Sequence, residues 1–170
     1  MLGLRASRAP TISSVQTIGH VRNGIVKRMM KYDMTALEDQ LIDHEGLELK
    51  PYQCTADKLT IGVGRNIEDR GITEDEARYL LKNDIKIVED ELLEKKPVVA
   101  GLDAVRQRVL VDMGFNLGIP TLLKFQNMWA AIEEEDFERA AEEAMDSRWA
   151  KQVGRRAERL CQAMATGEWV

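Results

Sequence analysis

The sequence predicts an α+β fold in which a small β-hairpin lobe is joined by a long helix to an all-helical lobe. Helix-forming residues dominate from Met34 onward, and a run of β-formers punctuated by glycine lies within residues 49–66. Apolar residues recur at helical spacing over residues 74–95, which predicts a long amphipathic helix. A chain of 170 residues is long enough to bury a core. We therefore expect one domain, residues 34–170, with lobes at about 46–73 and 97–170.

Local signals justify each predicted element in turn. Thr35-Ala36-Leu37-Glu38 is typical of a capping box and opens a helix that runs to about Glu45, where Gly46 ends it. Thr73-Glu74-Asp75-Glu76 is a second capping box and starts the connecting helix, which stops before Pro97. Shorter helices are expected at about 102–115, 121–132, 136–146 and 155–164. Helical spacing predicts that Leu110, Met113, Leu122, Phe125, Trp149 and Cys161 belong to the core.

Residues 1–33 differ in composition from the rest of the chain and are predicted to be a flexible leader or a tether. They hold six Lys or Arg and one acid, a balance of +5, whereas residues 34–170 balance to −10. A disordered leader and an arm that docks on an acidic partner or an anionic membrane both fit this composition. The acidic body argues against nucleic acid as a partner, because phosphate binding depends largely on cations.

The cysteines and the hydropathy pattern exclude several other classes of protein. Cys54 and Cys161 lie far apart and match neither a metal-binding spacing nor a disulfide framework, so two free thiols are expected. No apolar run reaches the length of a membrane span, and the basic N-terminus lacks the apolar stretch of a secretory signal. We therefore expect no metal, no cofactor and no membrane span.

Three side chains near the first helix suggest a site that cleaves a polysaccharide. Glu45 ends the helix, where the helix dipole disfavours negative charge, so its carboxyl group is a candidate proton donor. Cys54 and Thr60 share strand parity and should project to the same side of the hairpin. A glycosidase needs groups on opposite sides of one bond. Taken singly, these residues fit a surface acid, a small buried residue and a β-former equally well.

The spacing of these residues, together with the motifs around them, points to a known family. Glu45 is followed nine residues later by Cys54 and six residues after that by Thr60. The surrounding motifs are His44-Glu45-Gly46, Pro51-Tyr52-Gln53-Cys54-Thr55-Ala56, Leu59-Thr60-Ile61-Gly62-Val63-Gly64-Arg65, Phe115-Asn116-Leu117-Gly118, Ser147-Arg148-Trp149, Arg155-Arg156-Ala157-Glu158-Arg159 and Thr166-Gly167-Glu168-Trp169. Over about residues 35–169 the chain resembles the phage-type lysozymes, glycoside hydrolase family 24, of the T-even phage lysozyme type.

The resemblance implies a lysozyme-like fold and a bacteriolytic, antimicrobial glycosidase of bacteriophage origin. Its substrate would be peptidoglycan, cleaved at the β-1,4 bond between N-acetylmuramic acid and N-acetylglucosamine. Glu45 would be the general acid that protonates the glycosidic oxygen. Cys54 would lie across the sugar, stabilising positive charge or directing water, and Thr60 would help to hold that water. Family members of this kind are described as inverting, although the stereochemical outcome for this chain stays open.

The resemblance also implies three substrate-binding residues. Asn66 would lie near the sugar subsites, Phe115 would line the cleft from the helical lobe, and Arg156 would reach toward the acid. Many members carry Asp where this chain has Cys54, so a permanently charged group is missing at that position. Asp57 occupies a position where the family usually has glycine, and its carboxylate is an alternative to the thiol.

These observations leave two other functions open beside an endolysin acting as a monomer. One is a non-catalytic protein that binds peptidoglycan glycan strands. The other is a virion structural protein tethered to a phage particle or a host partner by residues 1–33. An endolysin would be made in the host cytoplasm and would act on the cell wall in the periplasm after release, whereas a virion-associated enzyme would arrive on the particle. A transglycosylase of similar fold is a further alternative.

Overall fold

A computed structural model describes residues 30–169. They fall into two compact units, the first ending at Asn66 and the second beginning at Ile67. Almost all of the predicted leader, residues 1–33, lies outside the described residues, so its role stays a prediction. Many helices and one small antiparallel sheet confirm the predicted α+β fold. Within the described range, no helix is long and apolar enough to cross a membrane.

The helices and strands follow one another in a simple order. The first unit contains α1 (Met34–Glu45), β1 (Glu48–Gln53), β2 (Leu59–Gly62) and β3 (Arg65–Asn66). The second unit contains α2 (Glu74–Lys95), a 3-10 turn (Pro97–Gly101), α3 (Ala104–Leu117), α4 (Ile119–Leu122), α5 (Gln126–Glu133), α6 (Phe137–Met145), α7 (Arg148–Val153) and α8 (Arg155–Thr166). The sequence does not predict α4, α7 or the 3-10 turn, because each is too short to display an apolar period.

Helix α1 begins two residues earlier than its predicted capping box requires. Asp33 is the N-cap, with extended backbone, and its carboxylate accepts hydrogen bonds from the backbone N–H groups of Thr35 at 2.9 Å and Ala36 at 3.4 Å. The prediction that Thr35 caps this helix is therefore wrong. An aspartate two residues upstream supplies the same kind of acceptor to the free N–H groups of the first turn. The predicted end of the helix at Glu45 is confirmed.

The β-structure is a three-stranded antiparallel sheet in the order β1-β2-β3. Tyr52 pairs with Thr60, and Thr60 pairs in turn with Asn66. The predicted hairpin over 49–66 therefore contains a third, two-residue strand beyond the turn at Val63 and Gly64. Thr60 therefore lies in the central strand and has a paired residue in each neighbouring strand.

Helix α2 coincides with the predicted connecting helix over 74–95, and its predicted capping box is present. The Glu76 backbone N–H donates to the Thr73 hydroxyl at 3.3 Å, and the Thr73 backbone N–H donates to the Glu76 carboxylate at 2.7 Å. Glu74 and Asp75 place further negative charge at the positive end of the helix dipole. The helix belongs to the second unit, and its role between two lobes stays a prediction.

The buried apolar side chains of the described residues all lie in the second unit, between Leu92 and Met164. The largest fully buried one, Trp129, donates its indole N–H to the Leu122 carbonyl at 3.0 Å. Of the predicted core residues, five are buried and Phe125 is half-buried against them; the five are Leu110, Met113, Leu122, Trp149 and Cys161. Helical spacing therefore identified this core correctly.

Gly114 lets three helices approach closely within that core. A Cβ at this position would lie 2.9 Å from the Ile119 side chain in α4 and 3.1 Å from Val88 in α2. Both distances are shorter than ordinary van der Waals contacts. The absence of a side chain at Gly114 is therefore what allows α3 to pack this close to α2 and α4.

Arg106 ties the start of α3 to the end of α8. Its guanidinium donates to the carbonyl oxygens of Met164 at 2.8 Å and Ala165 at 2.9 Å, and it lies 3.7 Å from the centre of the Phe137 ring. The same group pairs with the N-cap residue of α3, Asp103, at 2.6 Å. One side chain therefore satisfies C-terminal carbonyl groups of α8 and neutralises the cap of α3.

Candidate active site

Glu45 is the last residue of α1 and is exposed to solvent. Gly46 follows with φ of 80°, a left-handed conformation that glycine adopts without strain, and its N–H donates to the Ile42 carbonyl at 2.9 Å. Within residues 30–66, the Glu45 carboxylate forms no hydrogen bond or ion pair. The helix end thus presents an accessible carboxyl group beside the last turn of α1.

Cys54 begins a tight turn between β1 and β2. The Cys54 backbone N–H donates to the Lys58 carbonyl at 3.0 Å, and the Asp57 N–H donates to the Cys54 carbonyl at 2.9 Å. Asp57 has φ of 57°, a left-handed conformation that aspartate tolerates better than most residues. This conformation accounts for aspartate at a position where the resemblance leads us to expect glycine.

The turn surrounds the Cys54 sulfur with hydrogen-bond donors. These hydrogen bonds lower the pKa of the Cys54 thiol below its usual value. The largest effect comes from the backbone of Ala56, followed by the backbone of Lys58 and the hydroxyl of Thr60. The side chain is partly exposed, so water and reagents reach the sulfur. A thiol in this setting carries more thiolate near neutral pH than an ordinary cysteine does.

Thr60 is buried and 3% exposed, and it is the one buried polar side chain among the described residues. Its hydroxyl donates to the Lys58 carbonyl at 2.9 Å and is also within hydrogen-bond reach of the Cys54 sulfur. A hydroxyl has only one hydrogen to donate. It therefore serves the sulfur when Cys54 is a thiolate, the stronger acceptor, and the carbonyl when Cys54 is a protonated thiol.

The first unit brings three of the predicted site residues onto one face of the sheet. Residues that are directly opposite in an antiparallel pair project to the same side, so Thr60 shares a face with Asn66 and with Tyr52. Cys54 has the same parity as Tyr52, and its sulfur reaches the Thr60 hydroxyl. The expectation that Cys54 and Thr60 face the same side therefore agrees with the structure.

The other two predicted residues lie together in the second unit. Phe115 is 44% exposed on α3, and with Arg156 of α8 it lines a surface groove of about 240 Å³. The Arg156 guanidinium donates to the Asp112 carboxylate at 2.9 Å and forms an ion pair with it at 2.8 Å. Within its own unit, Arg156 is thus held by Asp112, and its predicted approach to Glu45 stays a prediction.

Two residues of this region make contacts to which the sequence analysis assigns no role. Asp112 lies one helical turn before Phe115 and orients Arg156, a contact that spacing alone does not reveal. Asn116 accepts a hydrogen bond at 2.8 Å from the indole N–H of Trp149, which fixes the orientation of that ring. No three side chains of His, Cys, Asp or Glu gather as metal ligands would anywhere between residues 30 and 169.

The family profile described as phage lysozyme matches residues 42–164, which is most of the chain. The chain belongs to the phage lysozyme family. The phage lysozyme match contains every predicted site residue, from Glu45 to Arg156, and begins after the basic leader. The expected family and the lysozyme-like fold are therefore both confirmed.

Curated relatives come from an amoeba and from a phage. The probable T4-type lysozyme 1 of Dictyostelium discoideum is 26% identical over 172 residues, covering 84% of this chain and 94% of that protein. The probable T4-type lysozyme 2 of the same organism is 29% identical over 163 residues, covering 79% of this chain and 96% of that protein. The pre-baseplate central spike protein Gp5 of Enterobacteria phage T4 is 27% identical over 160 residues, covering 78% of this chain but only 28% of that protein.

Proposed function

We propose that this protein is a lysozyme that hydrolyses the β-1,4 bond between N-acetylmuramic acid and N-acetylglucosamine in peptidoglycan. Membership of the phage lysozyme family supports hydrolysis of peptidoglycan as the general activity. The observation that carries the finer proposal is the layout of the first unit. Glu45 stands accessible at the end of α1, and the adjoining sheet holds Cys54 and Thr60 side by side on one face.

In the proposed reaction, protonated Glu45 donates its proton to the glycosidic oxygen while the bond from that oxygen to the sugar C1 breaks. A water molecule attacks C1 from the other face of the ring and loses a proton. The Thr60 hydroxyl oxygen accepts a hydrogen bond from this water, and the Cys54 thiolate accepts the proton that the water gives up. Its lowered pKa suits Cys54 to this task, since a thiolate both stabilises positive charge on the sugar and accepts a proton.

Three further residues would bind the glycan strand. Asn66, on the same face of the sheet as Thr60, offers an amide that both donates and accepts hydrogen bonds to sugar. Phe115 offers an exposed ring on which a sugar packs, and Arg156 beside it offers a cation. The Asp112–Arg156 ion pair keeps that guanidinium in place before substrate arrives.

The experiment compares the wild-type chain with Glu45→Gln on purified Gram-negative peptidoglycan, measuring reducing ends and identifying products by mass. Loss of a general acid lowers turnover by about 100-fold or more, so Glu45→Gln should release almost no reducing ends. Glu48→Gln is the matched control, because Glu48 is an exposed glutamate three residues away on β1 and has no proposed role. It should retain wild-type activity.

Other outcomes would assign another function. Binding of peptidoglycan without release of reducing ends by the wild-type chain would indicate a non-catalytic binding protein. Anhydro-muramic products would indicate a transglycosylase. Full activity of Glu45→Gln would remove Glu45 from the mechanism while leaving the hydrolase in place.

We further propose that the enzyme reaches the cell wall either after release from the host cytoplasm or on a virion. The similarity to the pre-baseplate central spike protein Gp5 supports the virion route. Detection of the protein in purified particles would support that route, and its confinement to lysates of infected cells would support an endolysin.

A further inference from the structure

A groove with an apolar floor runs between α6 and α8 and takes no part in the proposed reaction. We call it the α6–α8 groove; it has a volume of about 480 Å³ and lies wholly within the second unit. Ala141 and Met145 of α6 line it, and Cys161 and Ala165 of α8 line it from the other side. Met145 is 39% exposed, so the floor is open to solvent.

The two helices form the groove because each turns one face toward it. On α6 the lining residues are 138, 141, 142 and 145, and on α8 they are 158, 161, 162 and 165. Both sets have the spacing i, i+3, i+4, i+7, which places side chains on one face of a helix. A groove between two helix faces with small residues along its floor is a shape into which an amphipathic segment can pack.

The walls of the α6–α8 groove are negatively charged. Glu138 and Glu142 of α6 and Glu158 of α8 line it and are exposed, and their carboxylates form no ion pair or hydrogen bond with any of residues 30–169. None of the described lysines and arginines lines the groove. An apolar floor between negatively charged walls therefore suits a segment that carries both apolar and basic side chains.

The leader that precedes the described residues has this composition. Residues 1–29 hold five Lys or Arg and no acid. In the stretch next to the described chain, apolar residues recur every three or four positions, at Ile18, Val21, Ile25 and Met29. Both the charge and the apolar spacing of the leader are thus complementary to the groove.

The length of the leader and its covalent attachment favour it over a separate partner. An extended chain advances about 3.3 Å per residue, so 29 residues can span about 95 Å. A domain of about 100 residues has a radius of gyration of only about 13 Å. Attachment to the same chain also gives the leader an effective concentration in the millimolar range, at which a weak contact is well populated.

We propose that the leader, residues 1–29, docks in the α6–α8 groove, with its cations on the three glutamates and its apolar side chains on the floor. This inference goes beyond the proposed function and does not depend on it. Because the charges involved are exposed, added salt should weaken the contact and release the leader.

Met145 reports on the groove in the full-length chain, because a docked leader would cover its thioether. Met34 on α1, which is 57% exposed and does not line the groove, is the internal reference. The protein is treated with dilute hydrogen peroxide at low salt, and methionine sulfoxide at each position is followed by peptide mass spectrometry. The Met145 rate divided by the Met34 rate then measures how open the groove is.

The variants reverse the charge on one side of the proposed contact or on both. The groove variant is Glu138→Lys/Glu142→Lys/Glu158→Lys. The leader variant has Glu in place of its five basic residues, Arg5, Arg8, Arg22, Lys27 and Arg28. A third protein combines the two sets.

A matched control reverses three exposed acids that line neither this groove nor the Phe115 groove, Asp84→Lys/Glu135→Lys/Glu168→Lys. Thermal unfolding followed by circular dichroism checks that each protein is folded.

We expect the rate ratio to rise about fivefold in the groove variant and in the leader variant, since exposed ion pairs are individually weak and several must be lost together. The combined variant should return to the wild-type ratio, because its reversed charges attract one another again. Added NaCl should raise the wild-type ratio, and the control should keep that ratio.

Three results would overturn the proposal. An unchanged ratio in the leader variant would show that the leader does not cover the groove. A combined variant that keeps the raised ratio would show that the two sets of charges do not meet. Protection of Met145 that grows with protein concentration would assign the groove to a second copy of the chain.

Discussion

Cys54 and Cys161 are the two thiols of this chain, and they lie in opposite surroundings. Cys54 is partly exposed, and hydrogen bonds from Ala56, Lys58 and Thr60 lower its pKa. Cys161 is 5% exposed in the core, and burial raises its pKa to about 11. Since the thiolate is the reactive form, the two should differ greatly in reactivity near neutral pH.

We therefore expect iodoacetamide to alkylate Cys54 rapidly at pH 7 and to leave Cys161 unmodified until the protein unfolds, as followed by mass spectrometry. Cys54→Ser should abolish the fast reaction. Thr60→Val removes a donor to the sulfur, so the pH at which alkylation reaches half its maximal rate should rise. An unchanged pH profile in Thr60→Val would contradict the hydrogen bond between these two side chains.

For single residues, the sequence predicted that Cys54 and Thr60 lie on the same face, but not which groups donate hydrogen bonds to the Cys54 sulfur. Strand parity was enough to put both side chains on one face. The donors to the sulfur come from a turn that depends on Asp57 adopting a positive φ, which no residue pattern shows in advance. Asp112 was out of reach for a similar reason, since its partner Arg156 lies 44 positions further along the chain.

At the scale of the element, the start of α3 combines a helix cap with an ion pair. The Asp103 carboxylate accepts the backbone N–H groups of Val105 at 2.9 Å and Arg106 at 3.0 Å, and it pairs with the Arg106 guanidinium. Partial burial acts to raise the pKa of Asp103, but these hydrogen bonds and the charge of Arg106 outweigh it and leave the pKa lowered. Ionised Asp103 therefore stabilises the folded state.

Because the pKa of Asp103 is lower in the folded state, its carboxylate stabilises the protein fully at pH values above the unfolded-state pKa, about 3.9. This stabilisation is lost as pH falls through the folded-state pKa. Asp103→Ala should lower the free energy of unfolding by about 1 kcal/mol at pH 7, measured by urea denaturation. Asp103→Asn keeps a capping side chain without charge and should lose less. Its difference from the wild type should shrink as pH falls below about 3.9 and through the lowered pKa of Asp103. A difference that persists there would show that the charge of Asp103 is not the cause.

Helix starts illustrate what the sequence can predict about elements and what it cannot. The capping box of α2 was predicted correctly, because Thr73 and Glu76 have the residue types and spacing of this motif. At α1, Asp33 and Thr35 are both good caps, and the choice between them depends on the backbone of Asp33, which is extended. Residue type and spacing thus identify a capping motif, whereas the backbone conformation decides which neighbouring residue serves as the cap.

At the scale of the whole molecule, charge is divided along the chain. Residues 1–29 hold five basic residues and no acid, so their removal leaves a chain with a balance of −10. Peptidoglycan is anionic, and charges of the same sign slow the encounter of enzyme and substrate at low ionic strength. The division was visible from the sequence, because it needs only a count of charges.

Deletion of residues 1–29 should therefore slow the release of reducing ends at low salt, and the deficit should shrink as added NaCl approaches about 0.15 M, where charges more than about 8 Å apart are screened. A full-length chain with Arg5, Arg8, Arg22, Lys27 and Arg28 replaced by Gln is the matched control and should behave like the deletion. A deficit that does not depend on salt would point to a role of this segment other than charge.

The uneven burial of the two units has a consequence for how this chain tolerates change in evolution. Every buried apolar side chain of the described residues lies in the second unit, whereas Glu45, Cys54 and Asn66 stand at accessible positions of the first. Substitutions at such positions alter reactivity with little loss of folding energy, since they remove no core contact. Cys54, at a position where the family resemblance predicts aspartate, would be a change of this kind, and the first unit is where new chemistry would accumulate at the least risk to the fold.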